Sequence, residues 1–97
     1  MIEPEHWKLE RFGERLAAWI EQEEPNADLS YRVTEWVMTR DETPYQGAHR
    51  ATGIPNLWET VVPQSADGGR VVHCSYWIYE THRTVVCNSL ASLSWPV

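Results

Sequence analysis

The side chains best equipped for chemistry lie late in the chain: Arg70, His73, Tyr79 and Arg83. Metal-independent cleavage of a ribonucleotide phosphodiester needs three groups. A base takes the 2′-hydroxyl proton, an acid protonates the leaving oxygen, and a cation stands beside the phosphate. Histidine or tyrosine can serve the first two roles and arginine the third. These four residues are therefore the candidate catalytic set. Trp77, His82, His49, Arg50 and Asn88 are candidate binding residues around them, with Trp77 and Tyr79 offering ring faces on which a base can stack. Each also has a plainer reading. A strand histidine is commonly a packing or surface group, His82 and Arg83 fall at a hairpin tip where solvated charges are routine, and aromatic side chains on a sheet often fill a core or a protein interface.

Other chemistries lack their residues. There is no glycine-rich phosphate loop, no GxSxG, no HExxH and no cluster with metal-ligand spacing. Cys74 and Cys87 are the two cysteines, without the paired CxxC spacing of a zinc site. No metal and no cofactor is expected. Both thiols fall inside strand-like runs and read as buried, reduced cysteines.

The elements that must position these residues follow from periodicity. Pro4 and Glu5 suit the first turn of a helix, and Leu9, Phe12, Leu16, Trp19 and Ile20 recur at helical spacing. A helix is expected over about 4–23, ended by Pro25. Asn26 or Asp28 caps a second, over about 27–40, whose apolar positions are Leu29, Val33, Trp36 and Val37. The stretch 41–56, with Pro44, Gly47, Gly53 and Pro55, shows no period. It reads either as a functional loop or as a loop laid over the sheet edge and anchored by Tyr45. Strands are expected over about 57–63, 70–80 and 83–90, with Asp67-Gly68-Gly69 as one turn.

If Glu80 faces Arg83 across the last hairpin, paired residue numbers sum to 163. Tyr76 then stands opposite Cys87, and Cys74 opposite Ser89. Val72, Cys74, Tyr76, Ile78, Val85, Cys87 and Ser89 form one face, suited to cover the helices. Val71, His73, Ser75, Trp77, Tyr79, Val86, Asn88 and Leu90 form the other. The expected fold is α+β: a single domain over 1–97, with an N-terminal antiparallel helical hairpin packed on one face of a three-stranded antiparallel meander.

Composition bounds the partners. The 97 residues carry a net charge of −6 and six tryptophans. Most of the tryptophans are expected in packing, because a small domain needs large buried area per residue. An acidic chain does not grip nucleic acid nonspecifically, since that affinity comes from neutralising phosphates. No signal peptide or membrane-length apolar run is read, so the expectation is a cytoplasmic protein without a membrane partner.

The segment ERLAAWIEQEEPNADLSYRVTEWV followed by TPYQG, the strand start Leu57-Trp58-Glu59, and the hairpin GGRVVHCSYWIYETHRTVVC together resemble the RelE/ParE superfamily of toxin–antitoxin toxins, over about Leu9 to Leu90. Members open with a strand ahead of the first helix, which the helical reading from Pro4 leaves out. The resemblance implies a helical hairpin on an antiparallel sheet and a small toxin, acting by RNA cleavage or by binding an essential protein. It also implies a protein partner, either antitoxin-like or a target. The alternative function is a noncatalytic acidic interaction module, such as an inhibitor or immunity-like partner, possible for a phage-encoded protein.

Overall fold

The structure is a computed structural model and describes residues 6–94; the expected helix start at Pro4–Glu5 and Trp95 lie outside those residues. The chain enters with a strand, β1 (Lys8–Glu10), followed by α1 (Phe12–Glu23) and α2 (Ala27–Met38), which runs into a 3₁₀ turn at Thr39–Asp41. Four further strands follow: β2 (His49–Arg50), β3 (Leu57–Val61), β4 (Arg70–Tyr79) and β5 (Thr84–Ser94). They form one sheet in the order β1-β5-β4-β3-β2. The expected three-stranded antiparallel meander behind an N-terminal helical hairpin is therefore corrected to a five-stranded mixed sheet with two helices, opened by a strand.

Both added strands are too short to show a period in sequence. In β1 only Leu9 turns toward the core, and its three-residue step to Phe12 mimics a helical face. The strand pairs parallel with β5, Leu9 opposite Val85. The chain breaks into the helix at Arg11, whose φ is 67°. That left-handed conformation is disfavoured for a residue with a Cβ. At the other edge, β2 is built from the 41–56 stretch, with His49 opposite Glu59 and Arg50 opposite Trp58.

Helix ends follow local chemistry. The Glu24 amide, in a left-handed C-cap, donates to the Ile20 carbonyl at 2.9 Å, and Pro25 follows. The Asn26 side chain caps α2 by accepting from the Leu29 amide at 2.8 Å. Both helices bury their apolar stripes on the sheet face bearing Val72, Cys74, Tyr76, Ile78, Val85 and Cys87. Tyr76 is fully buried there and donates its hydroxyl to the Pro44 carbonyl at 2.7 Å, which ties the 41–56 stretch to the core. Cys74 and Cys87 are free, buried thiols.

The β4–β5 register changes partway. Tyr76 pairs with Cys87, but Ser75 pairs with Ser89, leaving Asn88 as an extra residue. This bulge reverses the alternation beyond it. Cys74 consequently stands opposite Leu90, not Ser89. Leu90 packs against the core, and Ser92 Oγ accepts from Trp19 Nε1 at 2.9 Å. Ser89, Ala91 and Leu93 turn to the face without helices, correcting the expected placing of Ser89 and Leu90.

Candidate functional site

The sheet face turned away from the helices holds most of the candidate binding groups. Its central row runs along β4: His73, between Val61 and Ala91; Ser75, between Glu59 and Ser89; Trp77, between Leu57 and Val86; and Tyr79, beside Thr84. His73 and Trp77 are half-buried. Exposed apolar area surrounds them, with Val61 42%, Tyr79 39% and Leu93 46% exposed. Ser75 is buried and shares hydrogen bonds with Ser89 Oγ at 2.7 Å and Asn88 Nδ2 at 3.0 Å. These bonds hold the bulge against the strand. At the edge, His49 Nε2 lies 3.4 Å from Glu59 Oε1.

The four candidate catalytic residues do not converge. His73 and Tyr79 share the open face but stand six positions apart on β4, about 20 Å at the rise of an extended strand. Arg70 has the parity of Val72 and Cys74. It points to the helix side, where it pairs with Glu23 at 2.7 Å and donates to the Ser92 carbonyl at 3.1 Å. Arg83, in a left-handed turn conformation with φ 49°, lays its guanidinium over the Trp7 ring at 4.3 Å. Its carbonyl accepts from the Lys8 amide at 2.8 Å, which docks β1. Arg50 also leaves the open face and stacks over Trp58 at 5.3 Å.

What the fold does gather is a smaller group at the β4–β5 turn. Tyr79 and His82 line a hollow of about 470 Å³ with Glu10, Thr84 and Val86. Lys8 stands on the same strand as Glu10 and pairs with it at 3.4 Å. Glu10 and Lys8 escaped sequence reasoning because they were assigned to a helix; reading β1 as a strand would have placed both on the open face. A carboxylate, an imidazole and a phenol around one hollow can move protons, but among the described residues no arginine side chain occupies an open-face strand position.

Two other constellations stand elsewhere. His6, Asp41 and Glu42 bring metal-ligating atoms within 4.8 Å of one another, but a largely exposed grouping of this kind is common on protein surfaces and does not by itself make a metal site. Arg40, buried to 3% exposure, was also missed. Its signal was present in the sequence, since Leu29, Val33 and Val37 carry their stripe on to residue 40 at helical spacing. Among the described residues, no helix is long and apolar enough to cross a membrane.

No protein-family model matches the sequence. No curated protein matches it either. Among solved structures the chain is similar to the Escherichia coli toxin RelE, in a mutant with two arginine-to-alanine substitutions in the free state. The TM-score is 0.59 and the identity 14%, over 88% of this chain and 81% of that one. At this identity the likeness carries the fold and no residue roles. The likeness read from residues 9–90 thus holds at the level of architecture: the chain has a RelE-like fold.

Proposed function

We propose that this chain is a RelE-like toxin of the cytoplasm that acts by holding a protein on the open face of its sheet. The observation that carries this reading is the division of side chains between the two faces. Both arginines expected to clamp a phosphate are engaged on the helix side, with Glu23 and with Trp7. The open face instead presents Trp77, Tyr79, Val61 and Leu93, a mix of aromatic and aliphatic surface typical of interface anchors. The same face would serve the acidic, noncatalytic interaction module, which differs in lacking toxicity of its own. Neither reading calls for a metal or a cofactor.

RNA cleavage is the second reading, favoured by the hollow that joins Tyr79, His82 and Glu10. There Glu10 would take the 2′-hydroxyl proton, His82 would protonate the leaving oxygen, and Tyr79 or Trp77 would stack on a base.

Induced expression with growth as the readout separates these possibilities. The binding toxin arrests growth, keeps doing so with His73→Ala and His82→Ala, and loses its effect with the double variant Val61→Glu/Leu93→Glu. Loss of arrest in His82→Ala and Glu10→Gln, with RNA cut by the pure protein, would overturn it in favour of the nuclease. Absence of arrest from a folded, expressed protein removes the toxin reading and leaves the interaction module. Arg83→Ala is a poor probe, because it also strips the packing over Trp7.

A further inference from the structure

Beside the β4–β5 turn, the open face dips over its last strand. β5 offers the short side chains of Thr84 and Val86 there, between longer ones on both neighbours. Tyr79 of β4 stands opposite Thr84, while Lys8 and Glu10 of β1 stand opposite Thr84 and Val86. Neighbouring strands lie about 4.8 Å apart, so Tyr79 and the β1 side chains flank a floor about 10 Å across. This trough is the hollow of about 470 Å³, with His82 in its lining. Its walls are mixed: Val86 and the Tyr79 ring are apolar, and Glu10 is the carboxylate of the lining. An aromatic ring face also attracts a cation. A side chain with an apolar stem and a positive head matches all three groups at once.

The group already at Glu10 is a weak competitor. Lys8 Nζ lies 3.4 Å from Glu10 Oε2, with 72% of the Lys8 side chain and 45% of the Glu10 side chain exposed. An ion pair so open to water contributes little and exchanges readily. An ammonium is also a strongly hydrated point charge. A guanidinium presents parallel donors to both oxygens of a carboxylate, and its weakly hydrated face stacks on a ring. We infer that the trough receives an arginine side chain of the protein held on the open face, with its guanidinium on Glu10 and its stem between Tyr79 and Val86. This inference rests on the protein-binding reading above and names the chemistry of the partner. The chain's net charge of −6 draws a basic protein toward it, and the trough fixes one arginine of that protein beside the apolar contacts of the face.

The test follows the backbone ¹⁵N–¹H signals of Tyr79, Thr84 and Val86 in the whole chain. The protein is titrated at constant ionic strength with N-acetyl-arginine methylamide and with its lysine and citrulline counterparts. The expected result is a saturable shift of these three signals with the arginine probe, at a dissociation constant on the order of 1 mM for so small a ligand. The lysine probe should bind more weakly, and the neutral citrulline probe should not saturate. Glu10→Gln should weaken arginine binding roughly three- to fivefold, the size of a half-exposed charge pair, and Lys8→Ala should strengthen it roughly twofold by freeing the carboxylate. No saturable shift, citrulline or lysine binding as tight as arginine, or binding unchanged by Glu10→Gln would each overturn the inference. Failure of the open-face reading looks different. A saturable arginine response in a chain whose expression never arrests growth removes the toxin and keeps the trough. A silent trough in a chain whose arrest is abolished by Val61→Glu/Leu93→Glu keeps the binding face and removes the trough.

Discussion

At the scale of single residues, Tyr45 shows how one side chain can hold a loop against a sheet. Its ring meets Trp58 edge-on at 4.9 Å and Trp7 at 6.0 Å, and its hydroxyl donates to the Glu80 carboxylate. Burial, and then the hydrogen bond to Glu80, push its ionisation up to about 12. The sign of the resulting pH dependence follows from linkage. Below pH 10 the phenol is neutral in both states and the contact contributes fully. Above it, the unfolded phenol ionises while the folded one does not, so stability is lost as pH rises from about 10 to about 12. Urea midpoints measured across that window should fall less steeply for Tyr45→Phe than for the parent chain. At pH 8 the variant should be weaker by on the order of 1 kcal/mol for the lost hydrogen bond. Parallel curves for the two proteins would show that Tyr45 does not carry the shift.

At the scale of elements, the register of the last hairpin shows how far alternation reaches. Pairing Glu80 with Arg83 places Tyr79 through Tyr76 opposite Thr84 through Cys87, as found. Beyond that the sum of 163 fails, because Asn88 is inserted without any glycine to announce it. A three-residue β1 and a two-residue β2 hold no period at all, and the parallel pairing of β1 with β5 joins residues far apart in sequence. The candidate catalytic set is a different case. The alternation that turns Val72 and Cys74 inward also turns Arg70 inward, so its separation from His73 was readable, whereas the docking of Arg83 on Trp7 needed the strand that was missed. The bulge makes a deletion test possible. Removing Asn88 leaves Ser75 opposite Ser89 and Leu90 inward, so the shortened chain should fold with a loss of about 1 kcal/mol or less, the value of the Asn88–Ser75 bond. Removing Ala91 forces a choice between turning Ser92 away from Trp19 and turning Leu90 away from the core, and should cost about 2 kcal/mol or more. Equal losses in chemical denaturation would mean that Asn88 is not the extra residue.

At the scale of the whole molecule, charge decides which class of partner the field favours. The chain carries −6, and cations along the sheet are already engaged: Lys8 with Glu10 at 3.4 Å, and Arg70 with Glu23 at 2.7 Å. Pairs of this kind add little to stability at an exposed surface, but they remove the isolated positive charges a phosphate backbone would seek. An acidic surface steers a basic protein toward itself and repels RNA at long range. A partner captured by pull-down should therefore be basic, and its association rate should fall by about an order of magnitude as salt rises from about 50 to about 500 mM, since screening shortens the reach of the field. Random-sequence RNA should show no measurable binding at about 150 mM salt and no gain on dilution to about 50 mM. Binding whose log–log salt slope reached about −4 would instead report several neutralised phosphates. That result would sink the electrostatic argument and move attention to the Tyr79–His82–Glu10 hollow, where a local patch would have to overcome the charge of the molecule around it.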